Sequence, residues 1–198
     1  MRPLSRTKAL AKLQVIKGDL RAHVTENYEH RAKDCGTCET KGACCLDEHF
    51  VNVRISRLEA DAIRAVIDRL LPIRRAAVFA RAQWASESLE LTGETYACPL
   101  YDAAEGCLVH AEAKPLACIL HACYENKADL PPEHLLAEQE ARVEELNDLT
   151  YGRDQPRLPI PLAIRRQFAS AEACRPRPSS VSGTEGKGCD TKPGPISR

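Results

Sequence analysis

Four cysteines fall within the eleven residues "CGTCETKGACC", Cys35 to Cys45, and no other feature constrains the chain as much. Cys35 and Cys38 are separated by two residues, one of them Gly36. That spacing lets a chain turn back and bring two sulfurs to about 2.3 Å from one ion. Gly42 adds a flexible point ahead of Cys44 and Cys45. Adjacent side chains project in different directions, so this second pair implies two sites or one multinuclear site. A second group, Cys98, Cys107, Cys118 and Cys123, follows downstream. Two sets of four thiols match two four-coordinate ions or an iron–sulfur assembly. Soft thiolates select zinc, copper(I) or iron–sulfur clusters over magnesium or calcium.

The compartment bears on this choice. Charges interrupt every apolar run of "MRPLSRTKALAKLQVIKGDL" before it reaches the length of a signal-peptide core or a membrane span. A soluble, cytoplasmic protein with no membrane partner is therefore expected, and there thiols stay reduced and hold metal or do redox work. Net charge is zero but unevenly distributed: residues 1–34 carry eight Lys or Arg against four acids, residues 54–81 seven against three, and residues 82–149 three against fourteen. The basic and acidic segments attract one another or face water. Without an arginine-rich run or an aromatic platform, the pattern points away from nucleic acid.

At 198 residues and 43% hydrophobic content, one domain with its own core is expected over residues 1–174, the cysteine core spanning 35–123. Leu10, Leu13, Ile16, Leu20, Val24 and Tyr28 recur at helical spacing and predict an amphipathic helix over residues 5–32. "HFVNVRIS" alternates like a short strand, and "SRLE" from Ser56 to Glu59 reads as a capping box. The helix it opens should bury Leu58, Ala62, Ile63, Val66, Ile67 and Leu70. Pro72 starts another, with Ile73, Ala77, Ala80 and Trp84 on its inward face. "TYACPLYDAAEGCLVH" predicts a hairpin or looser loop in which Cys98 and Cys107 can face each other. Pro115 begins a helix expected to carry Cys118, His121 and Cys123, and residues 132–150 form a further helix with Leu135, Leu136, Val143, Leu146 and Leu149 inward. Half of the last 24 residues are Pro, Gly or Ser, so 175–198 is expected to be a disordered tail. The expected fold class is mostly α, with a small β-hairpin and an irregular cysteine-rich core.

In order along the chain, "CGTCETKGACC", "CPLY", "GCLVH" and "KPLAC" resemble the cysteine-cluster proteins of the YkgJ type, described as zinc- or iron-chelating domains. The resemblance covers about residues 35–123. It implies Cys35, Cys38, Cys44, Cys45, Cys98, Cys107 and Cys118 as ligands, with Pro99 and Pro115 as scaffold positions. His110 stands where that family usually has tyrosine, Lys114 replaces an arginine, and the gap from Cys107 to Cys118 is one residue longer. Cys123 is taken as the eighth ligand, with Cys174 as its competitor.

His110 and His121 each follow a cysteine by three residues, a spacing that on a helix puts both side chains on one face, so either could replace a thiol. Trp84 is read as core, and Cys189 as an incidental thiol. Catalysis by a cysteine would need a free thiol, a base and an orienting group. "CILHAC" supplies the first two, but no serine elbow, phosphate loop or His-Glu-x2-His motif accompanies it. The expectation is a metal-binding protein that takes zinc or iron. Iron–sulfur redox or accessory service, or an enzyme using a cysteine or an open metal position, stands as the alternative, and a protein partner is left unidentified.

Overall fold

The computed structural model describes residues 3–33, 42–46, 52–92 and 96–173, with the side chains of 90–92 and 170–173 outside the description. Cys35, Cys38, Cys174, Cys189, the residues Phe50 and Val51 of the expected strand, and the expected tail all lie outside it.

Seven helices are formed among the described residues. The first, α1 (Arg6–Asn27), is capped by the Ser5 side chain, which accepts from the Lys8 N–H, and a short 3-10 turn at Glu29–Arg31 continues it. Its expected stripe is buried at Leu13, Ile16, Leu20 and Val24, with Ala9 added. A short α2 (Ala43–Leu46) carries two cysteines. Ser56 and Glu59 close both halves of the capping box that opens α3 (Arg57–Ile67), and Leu58, Ala62, Ile63, Val66 and Ile67 enter the core as expected. Leu70, beyond the end of α3, is only partly buried. Next come α4 (Pro72–Thr92), α5 (Leu116–Leu120), α6 (Glu133–Tyr151) and α7 (Ile160–Ala173). The expected helix over 132–150 is α6, with Val143 and Leu146 buried and Leu135 and Leu136 partly so.

The β-structure is small. Of the strand expected near residues 50–55, only β1 (Arg54–Ile55) forms among the described residues, paired antiparallel with β4 (Leu158–Pro159). The hairpin is formed by β2 (Tyr101–Asp102) and β3 (Gly106–Cys107), with Asp102 Oδ1 accepting from the Ala104 and Glu105 N–H groups across the turn. Tyr96 ties the first pair to the core: its hydroxyl donates to the Val53 carbonyl and accepts from the Ile160 N–H, each at 3.1 Å.

Two expectations are corrected. On α4 the face is inverted: Val78, Ala82, Ala85 and Ser86 are buried, whereas Ile73 is 77% and Trp84 65% exposed. The buried positions are spaced 78, 82, 85 and suit close packing against α7, where Phe79 meets Phe168 edge to face. Small side chains there permit an approach that Trp84 would block, so its large apolar ring stays outside. The second correction concerns α5, which ends at Leu120. His121 is extended, with φ −84° and ψ 125°, because the chain leaves the helix to form an antiparallel bridge between Ala32 and Tyr124. Cys118 alone rides on that helix. Pro115, extended at ψ 151°, is its cap and not its first residue.

The helices share one core. Packing brings α1 against α3, α5 and α6, and α7 against α3 and α4. Polar bonds fix their register: the Asn147 side chain on α6 accepts from the Leu58 N–H on α3 at 3.2 Å, and Asp61 on α3 takes both Arg6 of α1 and the Tyr151 hydroxyl of α6. No helix among the described residues is long and apolar enough to cross a membrane.

Candidate metal centre

The described cysteines lie on the irregular side of this helical frame, held to it by polar contacts. Cys44 and Cys45 sit on α2, following Gly42 at φ +82°. A left-handed φ favours glycine, and a β-carbon at this position would also run into the Tyr101 ring of the hairpin. The segment that carries Cys44 and Cys45 is thereby closely apposed to the hairpin. The Cys98 N–H then donates to the Cys45 carbonyl at 2.8 Å, laying the two segments side by side.

At the other end, the Lys33 N–H donates to the Cys123 carbonyl, also at 2.8 Å, just before the chain reaches Cys35. Residues 34–44 are thus bracketed: their approach runs beside Cys123 and their exit beside Cys98. The helices hold the rest. Arg81 on α4 donates to the Pro99 carbonyl at 3.0 Å, next to Cys98. From α1, Arg21 donates to the carbonyls of His110 and Ala111, and Gln14 to that of Glu112, pinning the loop after Cys107.

Electrostatics shows which thiols are neighbours. Cys98 is pushed up to about 12, first by burial and then by Cys107 and Cys44, with Leu100 and Arg81 opposing. Burial likewise pushes Cys118 up to about 12, with Cys98, Cys107 and Glu59 adding to it, and raises Cys107, where Cys44 contributes. Cys44 and Cys45 are hydrogen-bonded to one another, which lowers Cys44 to about 6 and raises Cys45, the latter also feeling burial, Cys98 and Cys107. Cys45, Cys98, Cys107 and Cys118 are thus held protonated by burial and by neighbouring thiols, while Cys44 ionises readily beside Cys45. A cation among them reverses that balance, because it stabilises every thiolate at once and binding then releases protons.

Six of the eight expected ligands lie among the described residues, Cys35 and Cys38 being outside them. Cys44, Cys45, Cys98, Cys107 and Cys118 are half-buried neighbours, and Cys123 is exposed at the margin beside Lys33. Among the described residues, no three thiol, imidazole or carboxylate groups converge closely enough to hold an ion. The donor chemistry itself fits a soft metal. His110 is not on a helix: its N–H closes a turn onto the Cys107 carbonyl at 3.0 Å, so the helical spacing argument does not apply. Its pKa is lowered by lost hydration, Lys114 and Arg21, and that of His121 by burial and Lys114, which favours neutral imidazoles at both. No protein-family model, curated protein or solved structure matches the chain.

Several residues that build this site escaped the sequence reading. Glu59, recognised only as a cap, is fully buried and also accepts from the Leu116 N–H at the start of α5, at 3.1 Å. It pairs with Lys17 of α1 at 3.3 Å, and that amine is equally buried. One signal was legible: Lys17 lies four residues after Leu13 and three before Leu20, on the apolar stripe of α1. A lysine there needs a buried partner. The anchors Arg21, Gln14, Arg81 and Tyr96 leave no local pattern.

Proposed function

We propose that this protein binds zinc or iron through clustered cysteine thiolates, drawing its ligands from Cys35, Cys38, Cys44, Cys45, Cys98, Cys107, Cys118 and Cys123. One observation carries the reading: the backbone hydrogen bond from Cys98 to Cys45 joins cysteine segments that are far apart in sequence, and the bond from Lys33 to Cys123 holds the chain just ahead of Cys35 beside another cysteine. The raised thiols of Cys45, Cys98, Cys107 and Cys118 support it, since neighbouring thiols oppose their ionisation and a cation relieves that opposition. The resemblance to the YkgJ-type proteins agrees with the first seven of these residues, Cys123 being the nominated eighth.

Elemental analysis together with absorbance after anaerobic purification tests the reading. At least one zinc or iron per chain is expected, and its binding should weaken as pH falls, because protons compete for the thiolates. A brown, oxygen-sensitive preparation identifies an iron–sulfur cluster, and a colourless zinc protein identifies a structural or chelating site. Cys98→Ser exchanges a soft thiolate for a poorly ionised hydroxyl and should release metal, whereas Cys189→Ser should leave the content unchanged. Metal-free protein whose thiols take up neither zinc nor iron on anaerobic reconstitution would overturn the proposal.

A further inference from the structure

Glu59 makes contacts that the capping of α3 does not require. One carboxylate oxygen serves Ser56 at the N-terminus of its own helix, accepting from the N–H at 3.2 Å and the hydroxyl at 3.3 Å. The other faces Lys17 and accepts from the Leu116 N–H, which lies 57 residues away in sequence. A helix start leaves backbone donors without partners, and α5 has few local means to satisfy them. Pro115 has no N–H, no side-chain cap comes from the residues preceding α5, and a helix of five residues has little stability of its own. Its Leu116 and Ile119 side chains bury themselves in the core. Apolar contact alone leaves rotation about the helix axis poorly fixed, and a directed hydrogen bond removes that freedom. The residue whose direction depends most on this is Cys118, two positions after Leu116.

The surroundings are built to keep this carboxylate charged and fixed. Lys17 approaches from α1 and Arg157 from the segment ahead of β4, while Ser56 holds the other oxygen. A buried ion pair is costly compared with apolar side chains of equal volume, so its presence calls for a reason other than stability. We infer that Glu59, held by Lys17, is a positioning residue for the metal centre: through the Leu116 N–H it sets α5 and thereby aims the Cys118 thiol toward Cys98 and Cys107. The inference rests on the metal-binding reading above, but the geometry of Cys118 can be tested without metal.

Two double variants separate the hydrogen bond from the charge. Lys17→Met with Glu59→Gln removes both charges and keeps an acceptor for Leu116, whereas Lys17→Met with Glu59→Leu removes the acceptor as well. Folding of each is checked by helical circular dichroism, and Co2+ is the metal probe. The Gln pair should keep the thiolate–cobalt absorption of the wild type and its affinity within about threefold. The Leu pair should lose at least about tenfold in affinity, the scale expected when groups supporting a ligand are removed. In the metal-free, reduced protein, Cys118 located by peptide mapping should be alkylated several-fold faster in the Leu pair than in the Gln pair. Equal cobalt affinity and equal Cys118 alkylation in the two pairs would overturn the inference. If the wild type takes up no cobalt, the metal reading falls and the alkylation comparison alone decides this one. If the Leu pair does not fold, amide exchange in the unaltered protein decides: Leu116 N–H protected at least about a hundredfold supports the anchor, and exchange at the rate of free peptide overturns it.

Discussion

α3 and α5 begin at the same carboxylate, yet they are held in opposite ways. α3 has eleven residues, its own capping box and an apolar face that fills the centre of the molecule. α5 has five residues and takes its cap from Glu59 on another helix. The contrast extends to the regions around them. The helical frame of α1, α3, α6 and α7 is specified by burial along each helix, with polar bonds such as Asn147 to Leu58 refining the register. The cysteine-bearing segments have two-residue strands, turns and half-buried thiols, and depend on distant side chains for their shape. Stability and site geometry are thus separable here, and substitutions should reveal which region they touch.

The largest effect should come from the frame. Ile63→Ala removes a fully buried side chain and is expected to cost about 3 kcal/mol, lowering Tm by roughly 6–12 °C in a thermal melt. Metal content per folded chain should stay the same. A loss of metal at unchanged Tm would break the separation between the two regions.

Acidification should come next, through the carboxylate the two regions share. Burial alone would raise Glu59, but Lys17 and the N–H groups of Leu116 and Ser56 outweigh it, so its folded value lies below the ordinary 4.5. As pH falls, the unfolded chain therefore binds this proton first. The stabilisation is complete above about pH 4.5 and is lost as pH drops through the folded value. Denaturant midpoints measured from pH 7 downward should fall more steeply for the wild type than for the Lys17→Met, Glu59→Gln pair. Parallel curves would show that the ion pair carries no such dependence.

Gly42→Ala should act on the cysteine region. A left-handed backbone costs an alanine about 1–2 kcal/mol, and the added methyl group pushes on Tyr101. Faster alkylation of Cys44 and Cys45 is expected, with the exchange of core amides in α3 unchanged. Loss of α3 exchange protection by the same factor would tie the site to the frame more tightly than proposed.

The smallest effect is expected at Trp84. With its ring 65% exposed, Trp84→Ala should shift the unfolding free energy by no more than about 0.5 kcal/mol. A shift of several kcal/mol in a denaturant titration would mean that the ring is covered in solution.

These contrasts also account for what could be read from the chain. The helical spacing of Leu13, Ile16, Leu20 and Val24 and the pairing of Ser56 with Glu59 are local, and the helices they signal formed. On α4 hydrophobicity misled, because Ile73 and Trp84 are the larger apolar groups while Val78, Ala82 and Ala85 are the ones buried on the helix, which packs against α7. The helix α7 went unrecognised in "LPIPLAIRRQ", where Pro161 resembles a breaker but is tolerated in a first turn. Continuing α5 to Cys123 failed for a long-range reason, since the bridge to Ala32 captures the chain there. Cysteine spacing named the candidate ligands, but not the bonds that seat them, because Glu59, Arg21 and Arg81 act across folds of the chain that local pattern does not encode.

The bracketing of residues 34–44 by Lys33 and Cys45 has a consequence for how an ion would be captured. Lys33, fixed beside Cys123, stands only two residues ahead of Cys35 in the sequence. If Cys35 and Cys38 are ligands as proposed, they are tethered reagents, and an ion held by any of the downstream thiols would meet them at an effective concentration set by a short leash instead of by diffusion. Shortening that leash by deletion, or loosening it by breaking the contact at Lys33, would change how fast the ion is enclosed without altering a single donor atom.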